Sequence, residues 1–363
     1  MMRTSECVID LGALRHNLDR VRELRPQAKI MAMVKANAYG HGLIPVATTL
    51  ASADALGVAF MEEAMQLRTA GVLTPIALLE GVFSPAELQV AAEQGFQIVI
   101  HHEQQLRWLL NANVRPLKVW VKVNTGMNRL GFRPEDLLKV WVALKHARQV
   151  GQLGLMTHLA CADELRNNTT QAQLDTLARC QEEVQLNPCV EETSVANSAA
   201  ILGWPQVQGD WVRPGLMLYG SSPLSEHSAA SLGLQPVMSL RAAVMAVQPV
   251  KAGESVGYGG LWTAPQDQRV ALINLGYGDG YPRTADASTK VAIAGRHYRL
   301  AGRVSMDMLA VDIGQDNVDL GVPVELWGKH IAVDEVAAGA ATLAYELFCK
   351  VTARVPRRYL PGS

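Results

Sequence analysis

Between about residues 29 and 220, short runs rich in β-branched residues alternate with longer amphipathic stretches, and eight such runs can be counted. They are IMAMVKA (30–36), ALGVAF (55–60), PIALLEG (75–81), FQIVIHH (96–102), KVWVKV (118–123), QLGLMTHLA (152–160), TSVANS (193–198) and VRPGLMLYG (212–220). A strand can reach a parallel neighbour only through a long crossover, so this alternation predicts a parallel sheet with helices between its strands. Eight units predict closure into a (β/α)8 TIM-like barrel of the α/β class. The connecting stretches carry helix signals. In SPAELQVAAEQG, Ser84 is placed to cap, Pro85 fits the first turn and Gly95 follows the last.

After about residue 235 the period changes to short strand-like runs such as SLRAAVMAV, RVALINLGYG, KVAIAG and PVELWG, set among frequent Gly and Pro. This predicts a barrel over 8–234 and a mainly β domain over 235–363, with the boundary near GLQPVMS (233–239). With 363 residues, 49% of them hydrophobic, the chain can fill two cores. No low-complexity linker separates them, so their junction is a place for a site.

Lys and Arg total 33 against 34 Asp and Glu, with no long run of either sign, which is not the electrostatic footprint of a nucleic-acid binder. The opening MMRTSECVIDLGALRHNL has no continuous apolar core before a small-residue cleavage site, and no later run reaches a membrane-spanning length. A soluble cytoplasmic protein with no membrane contact is expected. Cys7, Cys161, Cys180, Cys189 and Cys349 form no C-x-x-C pair and are odd in number, so reduced thiols are expected. There is no HExxH, and His158 with Cys161 is too sparse for a metal site.

Several residues at the ends of the expected strands can carry chemistry, each with a plainer reading beside it. Lys35, where the first run gives way to a loop, can form a Schiff base with an aldehyde cofactor, or can simply end a strand at the surface. Ser198 follows the seventh strand, where barrels bind phosphate, yet it also begins NSAAILGW and can cap a helix. Arg213 can be a ligand or a salt-bridge partner, His158 a relay or a satisfied strand histidine, and Lys122 a modified or an ion-paired lysine. The glycines of GYGDGYPR lack the Gly-Lys-Ser/Thr and helix of a phosphate loop and read as turn glycines.

VKANAYGHG is long and specific, and it resembles the cofactor-lysine motif of the alanine racemases. KVNTGMNRLGF, THLACADE, VANSAA, WVRPGLMLYG, VGYGG, GYGDGYPR, GRVSMDM and AYELFCKVTARVPR resemble further blocks of that family in the same order, from about Val8 to Arg357. The resemblance implies a racemase that uses pyridoxal 5'-phosphate to interconvert L- and D-alanine, for peptidoglycan synthesis or for alanine catabolism. It implies that Lys35 carries the cofactor and then serves as one of two bases. Tyr39, Ser198, Gly215, Leu216 and Tyr345 would hold the phosphate.

Arg213 would hydrogen-bond the cofactor's pyridine nitrogen, where some other such enzymes place a carboxylate. A permanent cation that only donates disfavours protonation of that nitrogen, and so favours return of the proton to Cα over transamination. Tyr258 would be the second base, on the opposite face of the substrate. A phenol ordinarily ionises near pH 10, and the help implied is a chain in which Arg213 contacts His158 and His158 contacts Tyr258. Arg129 would bind the substrate carboxylate, and Lys122 corresponds to a lysine carbamylated in many members. Position 124 is Asn where many members have Asp. Tyr277, Met306 and Asp307 would line the substrate entrance, Met306 through its backbone. The resemblance also implies a homodimer in which Tyr258 of one subunit serves the site whose Lys35 belongs to the other.

Two rivals share the lysine. A barrel-type amino-acid decarboxylase normally has a carboxylate at the ring nitrogen, against which Arg213 and the VGYGG tyrosine speak. A non-catalytic pyridoxal-phosphate-binding barrel needs no second domain, whereas residues 235–363 supply one. A racemase of broader substrate range differs only in a few pocket side chains.

Overall fold

The computed structural model describes residues 4–185 and 192–362. After a first strand, β1 (Glu6–Asp10), come eight parallel strands: β2 (Lys29–Met33), β3 (Ala55–Val58), β4 (Ile76–Leu78), β5 (Gln97–Ile100), β6 (Leu117–Lys122), β7 (Val150–Met156), β8 (Glu192–Asn197) and β9 (Trp211–Arg213). They pair in sequence, and β2 closes on β9 through Lys29 opposite Trp211 and Ile30 opposite Val212. Each of the eight expected runs overlaps one of these strands, five of which begin one or two residues before the run. Most observed strands stop short of the run's end, because its last residues turn into the loops at the carboxyl face.

Local signals account for the helices between them. Ser84 accepts from the Glu87 amide, Pro85 opens the helix Pro85–Gln94, and Gly95 ends it at φ 67°, in the left-handed region that favours glycine. The barrel interior is packed with side chains. Trp120 is fully buried, and a Cβ on Gly154 would lie 2.5 Å from its ring, so the neighbouring strand must carry a glycine there.

The second domain is an eight-stranded, largely antiparallel sheet organised on one long strand, β10 (Met238–Val250). The first half of β10 pairs with β1 and with Pro323–Trp327, and its second half pairs with Gln268–Ile273. Residues 8–10, which the division at 8–234 assigns to the barrel, lie in this sheet: β1 runs antiparallel to β10 and parallel to Arg357–Leu360. Asp10 then caps the helix Leu11–Leu24 by accepting from the Gly12 and Ala13 amides, both at 3.0 Å, and carries the chain into the barrel. Buried Asn17 on that helix bonds Leu218 and both backbone polar groups of Gln235, which fixes the connection between domains.

Among the described residues no helix is long and apolar enough to cross a membrane, and no cluster of His, Cys, Asp and Glu has a metal-binding arrangement. Cys7, Cys161, Cys180 and Cys349 are free thiols. Cys189 lies outside the described residues.

Candidate active site

A cavity of about 370 Å³ opens at the carboxyl end of the barrel, where enzymes of this architecture keep their chemistry. Lys35, Tyr39, Lys122, Arg129, His158, Ser198, Arg213, Gly215, Leu216 and Tyr345 all line it. The barrel explains the convergence: Lys35 follows β2, Lys122 ends β6, His158 follows β7, Ser198 follows β8 and Arg213 ends β9.

Arg213 is 4% exposed and anchored from several sides. Its Nη1 donates to Ser194 Oγ at 2.6 Å, and its Nη2 to Thr157 O at 2.6 Å, Val195 O at 3.2 Å and His158 Nδ1 at 3.2 Å. Burial lowers its pKa to about 10, so it remains a cation at neutral pH. Since Arg213 can only donate, His158 Nδ1 accepts, and the ring's proton belongs on Nε2. Burial, then the cations Arg213, Lys122, Arg129 and Lys35, push the His158 pKa well below the usual histidine value, so the ring is neutral.

Ser198 does not cap the helix Ser198–Gly203. Asn197 does, accepting from the Ala200 amide at 3.0 Å. The Ser198 oxygen instead accepts from the amides of Gly215 at 2.8 Å and Met217 at 3.3 Å, which leaves its own proton free to donate. A Cβ on Gly215 would lie 2.6 Å from the Tyr39 hydroxyl, so only glycine fits there. Tyr39 stacks on Tyr219 with centroids 4.8 Å apart and meets Tyr345 at 5.7 Å, and burial raises the pKa of Tyr39 and lifts that of Tyr345 to about 12. Both phenols therefore keep their protons and can donate.

The backbone after Lys35 is strained. Ala36, Asn37, Ala38 and Tyr39 all have φ between 51° and 55°, a left-handed turn without a glycine, at roughly 1–2 kcal/mol per residue. Neighbours hold it in place. His41, fully buried, donates from Nδ1 to the carbonyls of Tyr39 at 2.9 Å and Ala38 at 3.1 Å, and burial lowers its pKa to about 3. Asn37 Oδ1 accepts from the Leu43 amide at 2.8 Å, and Arg357 Nε, from the second domain, donates to Gly40 O at 2.7 Å.

Lys122 is 8% exposed and has no carboxylate within ion-pairing distance among the described residues. Burial foremost, then Arg213, lowers its pKa to about 8, against a smaller opposing effect from Glu80. Asn124 nearby organises the approach to Arg129: its Oδ1 accepts from the amides of Gly126 at 3.1 Å and Asn128 at 2.9 Å.

Tyr258, Tyr277, Met306 and Asp307 do not line this cavity. Tyr258 is 69% exposed, in the loop between Ser255–Val256 and Trp262–Thr263, which pair antiparallel. No contact joins it to His158 within the chain among the described residues. The other three form a unit: the Tyr277 amide donates to Ser305 O at 3.0 Å, the Gly278 amide to Met306 O at 2.8 Å, and Arg354 Nη2 to Asp307 at 2.7 Å.

Glu80 and Cys349 also line the cavity, and the sequence reading did not single them out. Signals for both were present. Glu80 sits near the end of PIALLEG, on the catalytic side, and Cys349 lies one helical turn beyond Tyr345 on the same face.

The donors around the cavity suit a phosphorylated cofactor with a ring nitrogen. Ser198 has a free hydroxyl proton beside a position only glycine can occupy, and Arg213 has an Nε with no partner among the described residues.

Residues 9–223 match the family model "Alanine racemase, N-terminal domain", and residues 237–359 match "Alanine racemase, C-terminal domain". The chain is 49% identical to an alanine racemase of Vibrio cholerae over 361 residues, covering 99% of both chains. It is 48% identical to one from Stutzerimonas stutzeri over 362 residues, covering 99% of this chain and 100% of that one. Among solved structures, the biosynthetic alanine racemase from Pseudomonas aeruginosa superposes with a TM-score of 0.95 at 46% identity, covering 99% of this chain and 100% of that one. The alanine racemase from Acinetobacter baumannii does so with a TM-score of 0.93 at 42% identity and the same coverage.

Proposed function

This chain belongs to the alanine racemase family, and from that premise we propose which of its residues carry the interconversion of L- and D-alanine. The enzyme depends on pyridoxal 5'-phosphate, which, when bound, withdraws electrons from an attached amino acid and so acidifies its Cα–H. Lys35 anchors the cofactor and afterwards, as a free amine, takes or returns the Cα proton on one face. Ser198, through its free hydroxyl proton, Tyr39, Tyr345 and the Leu216 amide hold the phosphate, and Gly215, whose amide is bonded to Ser198, leaves room for it. Arg213 directs its unpartnered Nε at the ring nitrogen. The observation that carries this reading is the convergence on one cavity of Lys35, the open Nε of Arg213 and the Ser198–Gly215 pair.

Tyr258 returns or takes the proton on the opposite face. Because it is exposed and does not line the cavity that contains its own chain's Lys35, we propose that it acts in the site of a second copy, within a homodimer. There the neutral His158 donates from Nε2 to the phenolate oxygen, with Arg213 behind it. Arg129 binds the substrate carboxylate, and Tyr277, the Met306 backbone and Asp307 narrow the entrance from the partner's side.

Lys122 is proposed to be carbamylated. Its neutral amine is accessible near pH 8, and the anion formed would lie among the cations Arg129, Arg213 and Lys35. A cytoplasmic location fits the absence of a long apolar helix among the described residues.

The test is reduction of the holoenzyme with borohydride followed by peptide mapping, together with chiral chromatography after incubation with each common L-amino acid. The cofactor should be found on Lys35 and D-alanine should be the principal product. Label on another lysine, or no D-alanine, would overturn the assignment.

A further inference from the structure

The left-handed turn after Lys35 is tied to the barrel by a residue of the next βα unit. Glu63 lies in the first turn of the helix Met61–Thr69, which follows β3. Its Oε2 accepts from the amides of Ala59 at 2.8 Å and Phe60 at 3.4 Å, the ordinary service of an acidic residue three places into a helix. Its Oε1 does something else. It accepts from the Ala36 amide at 2.6 Å, and Ala36 is both the first strained residue of the turn and the residue bonded to Lys35.

We propose that Glu63 is a positioning residue for the catalytic lysine, a reading that rests on the role given to Lys35 above. The two carboxylate oxygens join the start of one βα loop to the start of the next. A carboxylate suits this joint because all three partners are N–H donors and both of its oxygens can only accept. The Ala36 amide has no other partner among the described residues. Without Glu63, the first strained residue loses the contact that opposes its relaxation toward ordinary backbone, and Lys35 loses its fixed direction into the cavity.

The neighbouring unit supplies a control. Glu87 occupies the equivalent place in the helix Pro85–Gln94 and accepts from the Phe83 amide at 2.8 Å, but it bonds nothing in the Lys35 turn. A residue that only caps its helix should behave alike at both positions.

The experiment compares wild type, Glu63→Ala, Glu63→Gln and Glu87→Ala as holoenzymes. It reads amide hydrogen exchange over residues 36–40 by mass spectrometry and the visible absorbance of the bound cofactor across a pH titration. Expected for Glu63→Ala is at least tenfold faster exchange in that segment and a shift of the absorbance titration by half a pH unit or more. Glu63→Gln, which keeps one accepting oxygen but turns an amino group toward a donor, should fall between it and wild type, and it serves if the alanine variant does not fold. Glu87→Ala should match wild type in both readouts. Unchanged exchange and titration in the Glu63 variants, or equal changes in Glu87→Ala, would overturn the proposal. Borohydride label on a lysine other than Lys35 would instead defeat the underlying assignment.

Discussion

Arg213 Nη2 donates to His158 Nδ1 across 3.2 Å, and this single contact determines which side of the imidazole keeps its proton. The guanidinium is held by Ser194, Thr157 and Val195, so the histidine leans on a group that cannot turn.

Replacing that group tests its influence on the reaction. Arg213→Glu should raise the fraction of turnovers that end in transamination, measured as pyruvate formed per D-alanine formed. A buried carboxylate facing two carbonyls also costs about 3–5 kcal/mol, visible as a lowered denaturation midpoint. Racemisation unchanged with no added pyruvate would show that Arg213 does not govern the fate of the proton.

Lys35→Ala should abolish the absorbance of the lysine-linked cofactor and reduce racemisation to background. The fold should persist, because Lys35 lines the cavity and is not part of the hydrophobic core. A variant that keeps a borohydride-reducible cofactor linkage would contradict the role given to Lys35.

Tyr258→Phe should slow proton removal from L-alanine by about 100-fold or more while affecting D-alanine much less, as each base serves one face. Loss of α-deuterium exchange equally from both isomers would remove the division of labour. Mixing this variant with Lys35→Ala gives a second reading. Under random subunit exchange half of the dimers are mixed and each has one sound site, so activity should recover to roughly a quarter of wild type. No recovery, with exchange verified by mass, would place both residues in one chain's site.

Carbamylation of Lys122, as proposed, would link activity to carbon dioxide. With the Lys122 pKa lowered from the ordinary 10.5 to about 8, roughly one amine in ten is neutral at pH 7, against roughly one in 3,000 for an ordinary lysine. Enzyme stripped of carbon dioxide and bicarbonate should lose activity and regain it on addition, and at equal dissolved carbon dioxide more slowly at pH 7 than at pH 9, because only the neutral amine reacts. The unfolded chain binds more protons than the folded one between pH about 8 and the ordinary value of 10.5. The unmodified lysine therefore makes stability rise with pH across that window. Activity indifferent to bicarbonate at every pH would dismiss the modification.

Ser198→Ala should weaken pyridoxal phosphate binding by about tenfold, the worth of one hydrogen bond to a charged group, in a fluorescence titration of the apoenzyme. An unchanged affinity would mean that the hydroxyl serves only the amides of Gly215 and Met217.

The barrel is legible in the sequence because each of its strands is a short apolar run bounded by polar helix, and burial on both faces requires that pattern. The site residues are legible because they stand where those runs end. Other features leave weaker traces. ECVID is too short to announce itself as a strand, and only pairing with β10 and Arg357–Leu360 reveals its sheet. Asn197 and Ser198 are adjacent and both suited to capping, so the choice between them depends on where Gly215 comes to lie. KANAY contains no glycine, the usual mark of left-handed backbone, because the conformation is imposed by His41, Arg357 and Glu63 rather than by local preference. Glu63 itself reads as an ordinary charge in an amphipathic helix.

The bond from Arg357 to the Gly40 carbonyl spans 317 residues of sequence. On a ribosome, the loop that carries Lys35 emerges long before the side chain that clamps it, so for most of synthesis the barrel can assemble while its lysine loop lacks that contact. Only when Arg357–Leu360 docks beside Glu6–Asp10 does the loop acquire its last restraint. Full restraint of the lysine loop is therefore among the last contacts a new chain can make, after the second domain is in place.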